Sequence, residues 1–411
     1  MERLLVTNIG VLATPEGTSA RSGGAQGEIR TLRDAWVLME DGLISAVGTG
    51  VPPAAEGARV LDAGGRLATP GLVDAHTHLI FGGWRQNELA LKLRGVPYLD
   101  ILAQGGGILS TVRATRAASQ EELADKARLA LDEMLALGTT TCEAKSGYGL
   151  DTETELRQLR AIRALDQTHP IDLVPTFLGA HALPEAYKND RAGYIRLLCE
   201  EMIPAAAAEG LAEFCDVFCE TGVFTAEESR AILEAGKKYG LRPKIHADEI
   251  DPIGGSRLAG EIGAVSAEHL IVCPEEGIAA MAAGGAAACL LPCTSFYLGA
   301  AYAPARRMVE AGVPVAMATD FNPGSCPCLN MQLVMSLGCL KYRLTPEEVL
   351  TAVTLNGAAA IGRADRTGSV EPGKWGDLVI WEAEDLNYIC YRLGGNLART
   401  VIKKGVPYGK E

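Results

Sequence analysis

Between residues 72 and about 357 the sequence alternates short, continuous apolar runs with segments of helical periodicity, such as 121–137 and 345–359. Apolar runs of this length predict strands buried on both faces, and the segments between them have the pattern of amphipathic helices. Eight strands are predicted, at 72–78, 139–144, 171–178, 213–219, 243–247, 264–268, 287–292 and 315–319. This alternation predicts a (β/α)8 TIM-like barrel of the α/β class.

The residues before and after the barrel have a different pattern. Short β-like runs separated by Gly, Pro and Ser turns fill residues 1–65, and β character returns at 368–380 and 400–408. We therefore expect a small β-sandwich domain built from both chain ends, residues 1–65 and 361–411. The barrel between them, residues 66–360, would carry the functional site.

Composition excludes several classes of partner. The formal net charge of −13 repels phosphate backbones, and no basic stripe is interleaved with aromatic residues, so nucleic acid is not an expected partner. No apolar stretch approaches the ~20 residues that cross a bilayer, and residues 1–6 lack a signal-peptide layout. Eleven cysteines without paired spacing suit a reducing compartment. We expect a cytoplasmic protein without membrane association.

Histidines gather at one end of the predicted strands. His76 and His78 close the first strand, and side chains at i and i+2 of a strand project from one face, where they can bind one metal ion. Such a pair alone is more often an ordinary feature of a buried strand. Further groups, however, follow other strands at the end where barrels carry their active sites: His181, His246, His269 and Asp320. This one-sided placement favours a metal site at the barrel mouth.

These residues resemble the amidohydrolase superfamily, in which an HxH pair on strand one, histidines on strands five and six and an aspartate on strand eight surround one or two metals. Within it the sequence is similar to the imidazolonepropionase family, in the segments TPGLVDAHTH (69–78), FGGWRQNE (81–88), KSGYGL (145–150), FLGAH (177–181), HADE (246–249) and DFNPGS (320–325). The resemblance covers nearly the whole chain. One departure is Cys326-Pro327-Cys328, where small hydroxyl or apolar residues are expected.

The resemblance implies a reaction and a cofactor. The reaction is hydrolysis of the cyclic amide of a small-molecule substrate, 4-imidazolone-5-propanoate, to N-formimidoyl-L-glutamate in histidine degradation. The cofactor is one divalent or trivalent metal ion per subunit, Zn or Fe, and a homodimer is the implied assembly. Binuclear relatives carry a carboxylated lysine near strand four, and this chain has no lysine there, so one ion is expected. The implied metal ligands are His76, His78, His246 and Asp320.

The resemblance also implies roles for residues around the metal. Asp320, Glu249 and His269 are the expected catalytic groups, and the sequence does not decide whether Glu249 or His269 is the main acid or base. The guanidinium of Arg85 suits the propanoate carboxylate. The other expected substrate contacts are Tyr148, His181, Glu249, Asn322, Gly324 and Ser325. Lys145 is expected to form a structural ion pair with a nearby carboxylate.

Two other functions compete with this interpretation. Another amidohydrolase, such as a deaminase, would use the same metal set, but it has no evident need for Arg85 together with residues 145–148; an assay of imidazolonepropanoate against deaminase substrates separates the two. A non-catalytic barrel with an assembly role would typically have lost metal ligands, whereas this chain keeps all those expected. Metal analysis of the purified protein tests that alternative.

Overall fold

The computed structural model describes residues 3–54, 56–96 and 105–409. Its strands are numbered along the chain. They are β1 Arg3–Thr14, β2 Arg30–Glu40, β3 Leu43–Thr49, β4 Arg59–Asp62, β5 Leu67–Pro70, β6 Leu72–Asp74, β7 Thr139–Lys145, β8 Asp172–Ala180, β9 Phe214–Cys219, β10 Arg242–Ala247, β11 Ser266–His269, β12 Ala287–Leu290, β13 Val315–Met317, β14 Leu378–Trp381, β15 Ala398–Lys403 and β16 Val406–Gly409.

The predicted barrel is confirmed. Strands β6 to β13 form one sheet in chain order, and every neighbouring pair in it is parallel. These strands are buried on both faces because helices cover the outside and side chains fill the inside. All eight predicted strands are present, with ends that differ by a few residues.

Most of the helices connect successive strands of the barrel, and the last four follow its final strand. They are α1 Leu89–Leu93, α2 Ile108–Ala117, α3 Gln120–Ala136, α4 Thr152–Asp166, α5 Arg191–Leu197, α6 Ile203–Ala208, α7 Ala226–Lys238, α8 Gly255–Ile262, α9 Glu275–Gly284, α10 Pro292–Leu298, α11 Ala305–Glu310, α12 Met331–Tyr342, α13 Pro346–Ala352, α14 Leu355–Ala360 and α15 Leu386–Tyr391. Reciprocal side-chain caps open α3, α7 and α13. No helix among the described residues is long and apolar enough to span a membrane.

The helix predicted over 345–359 is two helices in the structure, α13 and α14. The first begins at Pro346, with Thr345 as its capping residue. The predicted helix is interrupted after Val353, whose carbonyl accepts the backbone N–H of Val73 in β6 at 2.9 Å. The prediction of one continuous helix was therefore wrong, because the backbone there bonds to the barrel.

The first barrel strand is shorter than the predicted 72–78, since its ladder ends at Asp74. Beyond Asp74 the backbone hydrogen bonds of the chain alternate between β7 on one side and the segment after β13 on the other. The carbonyl of Thr77 accepts the N–H of Lys145 in β7 at 3.0 Å, whereas the N–H of His78 donates to Phe321, after β13, at 2.9 Å. The chain therefore stays extended past the end of β6, and both imidazoles of the HxH pair still project toward the mouth.

A buried carboxylate joins the first and last barrel strands. Asp74 accepts the backbone N–H of Thr319 at 3.0 Å and its hydroxyl at 2.6 Å. Burial raises the pKa of Asp74 to about 7, although both hydrogen bonds act in the opposite direction. This contact closes the barrel directly below the residues that form the mouth.

Both chain ends contribute to the second sheet, as predicted. Its eight strands run in the order β16-β15-β14-β5-β1-β2-β3, with β4 paired to β1. Strand β5 lies beyond residue 65, where the N-terminal part of this domain was expected to end, yet it pairs with β1 and β14 of the same sheet. The chain continues from β5 through Gly71 into the barrel. The sheet has its own apolar core, which includes Leu4, Val37, Ile380 and Ile402.

Trp381 in β14 connects this sheet to the barrel. Its side chain is fully buried within the apolar cluster of the barrel, and its indole N–H donates to the Thr69 hydroxyl at 2.9 Å. A Cβ added at Gly138 would lie 3.3 Å from the ring, so the indole packs closely against the start of β7. The two parts of the molecule therefore share one packed interface.

Replacing Trp381 with Ala should lower the free energy of unfolding by about 3–5 kcal/mol, because the ring leaves a cavity between sheet and barrel. Chemical denaturation followed by circular dichroism measures this loss. Tyr391→Ala is the matched control, since that side chain is 82% exposed, and it should change stability little. Equal losses in the two variants would contradict the role assigned to Trp381.

Candidate functional site

The four predicted metal ligands lie together at the mouth of the barrel. The ring centroids of His76 lie 5.2 Å from His78 and 4.6 Å from His246. Asp320 Oδ1 is 3.5 Å from His76 Nε2 and 3.4 Å from His78 Nε2. Two overlapping groups have ligand atoms within 4.8 Å of one another: His76, His78 and Asp320, and His76, His246 and His269.

The polar atoms of this cluster lack partners although they are buried. His76 Nε2, His246 Nε2 and Asp320 Oδ1 have no hydrogen bond in the structure. A buried polar atom without a partner costs about 1–3 kcal/mol, so three of them within one small space indicate a place for a cation. Imidazole nitrogens and a carboxylate oxygen are also the donors that zinc and iron bind. The residues therefore fit a metal ion.

Carboxylates hold two of these imidazoles from behind. His76 Nδ1 lies 3.0 Å from Glu268 Oε2, and His246 Nδ1 lies 3.1 Å from Asp216 Oδ1. An imidazole that donates its Nδ1 proton to a carboxylate keeps the Nε2 lone pair for a metal, and the pairing fixes the ring orientation. Glu268 and Asp216 thus favour the tautomer with a free Nε2 and fix the orientation of the two rings.

Two buried lysines neutralise most of that negative charge. Lys145 Nζ lies 2.8 Å from both Asp216 and Glu143, and Lys244 Nζ lies 2.8 Å from Glu143 and 3.5 Å from Glu268. All five side chains have no exposed surface. Three carboxylates and two ammonium groups leave one net negative charge below the histidines. The structural ion pair expected for Lys145 is present.

Four residues at the mouth, where the metal ligands lie, have a strained backbone conformation. Asp248, His269, Leu270 and Asp320 have positive φ angles of 52°, 68°, 57° and 59°. Such angles are unfavourable for residues with a Cβ, and they persist where the surrounding structure enforces them. All four residues lie just at or after the ends of barrel strands. Their clustering is typical of an active site.

The two candidate acid–base residues lie beside each other. Glu249 Oε2 is 3.7 Å from His269 Nε2. Burial, reinforced by the nearby carboxylate of Asp320, raises the pKa of Glu249 to about 8. Burial lowers the pKa of His269 to about 3, so this imidazole is neutral near pH 7. Glu249 therefore has the affinity for a proton that general acid–base chemistry requires.

His181 and Tyr148 form the wall of the mouth next to the HxH pair. The His181 ring stacks on His78, with centroids 4.8 Å apart and planes 11° from parallel. Its Nδ1 donates to the carbonyl of Gly147 at 3.0 Å, which leaves Nε2 as the acceptor of a neutral ring. The Tyr148 ring centroid lies 5.3 Å from that of His181. The structure thus brings both predicted contacts beside the ligand cluster.

Arg85 lies against the loop that follows Asp320. A Cβ added at Gly324 would be 1.5 Å from Arg85 Nη2, so only glycine leaves room for the guanidinium there. Asn322 shapes this loop, because its Oδ1 accepts the N–H groups of Gly324 and Ser325, each at 2.8 Å. The Asn322 amide is thereby bonded to its own loop, and its influence on a substrate passes through the loop's shape.

Sequence reasoning missed the charged layer below the histidines. Its members are Glu143, Asp216, Lys244 and Glu268, with Thr294, whose hydroxyl donates to Asp320 Oδ2 at 2.6 Å. A signal was present in the sequence. Lys244 precedes His246 by two residues, as Glu143 precedes Lys145, so each pair shares a strand face. Charged residues at these strand positions indicate a buried ion network, just as the histidines indicate a metal site.

Comparison with known proteins identifies the family. The amidohydrolase family profile matches residues 67–406. An imidazolonepropionase from Alkaliphilus metalliredigens is 52% identical over 411 residues, covering 98% of this chain and 97% of its own. One from Streptococcus sanguinis is 54% identical over 382 residues, covering 92% and 91%. The chain belongs to the imidazolonepropionase family. The resemblance predicted from the motifs is confirmed.

The fold of this imidazolonepropionase-family chain is shared with distant solved structures. An adenosine deaminase from Xanthomonas campestris, solved with bound zinc, superposes with a TM-score of 0.73 at 22% identity. The match covers 99% of this chain and 93% of the deaminase. At this identity the similarity establishes the common barrel architecture, while family membership follows from the imidazolonepropionases.

Proposed function

We propose that this protein hydrolyses the cyclic amide of 4-imidazolone-5-propanoate to N-formimidoyl-L-glutamate with the help of a metal ion. The observation that carries the proposal is an intact, buried set of His76, His78, His246 and Asp320 in a chain about half identical to imidazolonepropionases along almost its whole length. A non-catalytic barrel would typically have lost some of these ligands, whereas this cluster keeps all four.

We propose that these four side chains hold one ion per subunit, zinc or iron. Zinc fits three imidazoles and one carboxylate, and iron also accepts this mixture of donors. Such an ion supplies Lewis-acid activation of water and of a carbonyl group. The Thr294 hydroxyl orients the ligand carboxylate, because it binds Asp320 Oδ2 and leaves Oδ1 directed at His76 and His78.

Hydrolysis also requires a proton to move from water to the departing ring nitrogen. We assign this transfer to Glu249, which lies beside His269 and whose pKa is raised by burial and by the nearby negative charge of Asp320. Its raised pKa lets the carboxylate take a proton and the carboxyl group return it. His269, neutral near pH 7, is then a hydrogen-bonding partner that positions water or Glu249.

Arg85 is the proposed partner of the propanoate tail. Its guanidinium packs on Gly324, and its Nε is buried without a hydrogen-bond partner. A planar guanidinium can hold a carboxylate through two parallel hydrogen bonds. His181, through Nε2, and Tyr148 would contact the ring on the other side of the mouth, and Ser325 lies on the loop beside Arg85.

We also propose that the enzyme works in the cytoplasm as a homodimer. The eleven cysteines are all free, which fits a reducing compartment. Sedimentation of the purified protein tests the assembly.

The direct test of function is an ultraviolet assay of imidazolonepropanoate loss with the product identified by mass spectrometry. Metal-loaded enzyme should form N-formimidoylglutamate and leave deaminase substrates such as adenosine unchanged. Turnover of a deaminase substrate with no attack on the imidazolone would overturn the proposal.

Changing His76, His246 or Asp320 to alanine should remove most of the bound metal and reduce kcat to near background, because the Lewis acid is lost with its ligands. Metal content is measured by plasma mass spectrometry, and folding by circular dichroism. His169→Ala is a matched histidine control, since that ring lies away from the mouth beside Asp132. Wild-type metal content in all three variants would contradict the site.

Glu249→Gln should retain metal and substrate binding while lowering kcat by roughly 10²–10⁴, because the amide can neither take nor return a proton. It should also flatten one limb of the pH–rate profile. His269→Asn should lose less. If the order is reversed, proton transfer belongs to His269 and Glu249 only contacts the substrate.

Arg85→Ala should weaken substrate binding by roughly ten- to a hundredfold, the value of a charge-assisted hydrogen bond, without changing metal content. Arg85→Lys should recover only part of this loss, because an ammonium lacks the two-pronged geometry. The decisive comparison uses an imidazolone without the carboxylate, on which Arg85→Ala should have little further effect on kcat/KM. Equal harm to both substrates would show that Arg85 acts on the ring or the loop.

A further inference from the structure

One buried carboxylate holds the loop of residues 147–150, which follows β7 and lines the mouth. Glu155 lies in the first turn of α4 and has no exposed surface. Its Oε2 accepts the N–H of Gly147 at 2.8 Å, and its Oε1 accepts the N–H groups of Gly149 and Leu150, each also at 2.8 Å. A buried carboxylate is tolerated where donors compensate it, so Glu155 and the loop fix each other.

The loop has a backbone conformation that needs such support. Leu150 has a φ of 55°, a value that favours glycine, and its N–H is one of the three bonded to Glu155. Gly147 has a φ of 110°, and a Cβ added there would lie 2.9 Å from His181 Nδ1. The Glu155 carboxylate therefore maintains a strained segment directly against an imidazole of the mouth, where strain is typical of functional sites.

The peptide between Gly147 and Tyr148 connects this loop to His181. Its carbonyl accepts the His181 Nδ1 proton at 3.0 Å, and its N–H donates to Gln158 Oε1 at 3.3 Å. Gln158 lies three residues after Glu155, on the same buried face of α4. Glu155 holds the N–H groups of the peptides on either side. The carbonyl that faces His181 is therefore fixed by two side chains of one helix.

We propose that Glu155 is a positioning residue for substrate binding, which acts through Gly147 on the tautomer and orientation of His181. With its Nδ1 proton donated to the Gly147 carbonyl, His181 presents Nε2 as an acceptor for a ring N–H of the imidazolone. Glu155 itself bonds to the loop backbone and acts only through it. The effect on catalysis rests on the proposed function, whereas the effect on the His181 tautomer does not.

Replacement of Glu155 with Gln tests this role with almost no change in side-chain volume. The three backbone partners of the carboxylate are all N–H donors, and an amide replaces one acceptor oxygen with an NH2 donor. When the amide oxygen keeps the bonds to Gly149 and Leu150, the NH2 group faces the N–H of Gly147, and two donors cannot bond to each other. Gly147 should then move, and the carbonyl that His181 binds should move with it.

In the zinc-loaded enzyme, Glu155→Gln should lower kcat/KM for imidazolonepropanoate by roughly 10–10²-fold without loss of metal, because a displaced substrate contact costs about this much. Glu155→Asp keeps two acceptor oxygens on a shorter side chain and should recover part of the loss. Glu153→Gln is the matched control, since that side chain is 83% exposed on the same helix, and it should keep wild-type kcat/KM. Zinc content and circular dichroism are measured for every variant.

Two further measurements separate positioning from general destabilisation. In a His181→Ala background, Glu155→Gln should cause a much smaller loss of kcat/KM than in the wild type, because the contact that it positions is already gone. Nitrogen-15 NMR of histidine-labelled, zinc-loaded protein reads the same link without substrate, with His181→Ala used to assign the signal. In the wild type the His181 proton should lie on Nδ1, and in Glu155→Gln the ring should show a mixture of the two tautomers.

Several outcomes overturn the proposal. A wild-type His181 tautomer in Glu155→Gln does so, as does an equal loss of kcat/KM with and without the His181 side chain. A loss of activity that only follows a loss of zinc or of folded protein, in Glu155→Asp as well as in Glu155→Gln, shows a structural role instead. A zinc-loaded wild type that leaves imidazolonepropanoate intact refutes the proposed function, and the NMR comparison then still decides whether Glu155 sets the His181 tautomer.

Discussion

The ion network beneath the barrel mouth is the constraint on which the site depends. Lys145 and Lys244 share Glu143, and each approaches a carboxylate that orients one imidazole, Asp216 for His246 and Glu268 for His76. Burying an uncompensated charge costs several kcal/mol, so removing one member leaves the others unsatisfied. The two rings are therefore held in one orientation before any ion binds.

That rigidity explains how strained loops can persist above the network. The positive φ values at Asp248, His269, Leu270 and Asp320 each cost of order 1–3 kcal/mol, and packing below the mouth has to offset them. The barrel supplies this support because its strand ends are fixed by parallel ladders and by the contact between Asp74 and Thr319. Catalytic side chains in such a fold can be exchanged at the loops without loss of the scaffold.

Much of this arrangement was predictable from the sequence. Buried parallel strands leave continuous apolar runs, and the residues that end them identify the mouth, which is why His76, His246 and Asp320 could be assigned together. The end of β6 could not be predicted, because residues past Asp74 take alternating partners that only the closed barrel supplies. The break at Val353 has the same origin. Local periodicity contains no information about a bond to a strand distant in sequence.

The charged layer escaped prediction for a related reason. Glu143, Asp216, Lys244 and Glu268 lie on four different strands, and the pairing of Lys244 with Glu143 depends on which positions of those strands face one another inside the barrel. The sequence shows which side chains of one strand share a face, but how neighbouring strands align with one another is a property of the assembled fold. The role of Asn322 in forming its own loop was hidden in the same way.

The most direct test of the account is anomalous diffraction at the metal edge from crystals of the zinc-loaded protein. We predict one peak per subunit, about 2.0–2.1 Å from the Nε2 atoms of His76 and His246 and bonded also to His78 and Asp320. A peak that lies away from these four side chains, or a second ion of equal occupancy at the mouth, would contradict the proposed mononuclear centre.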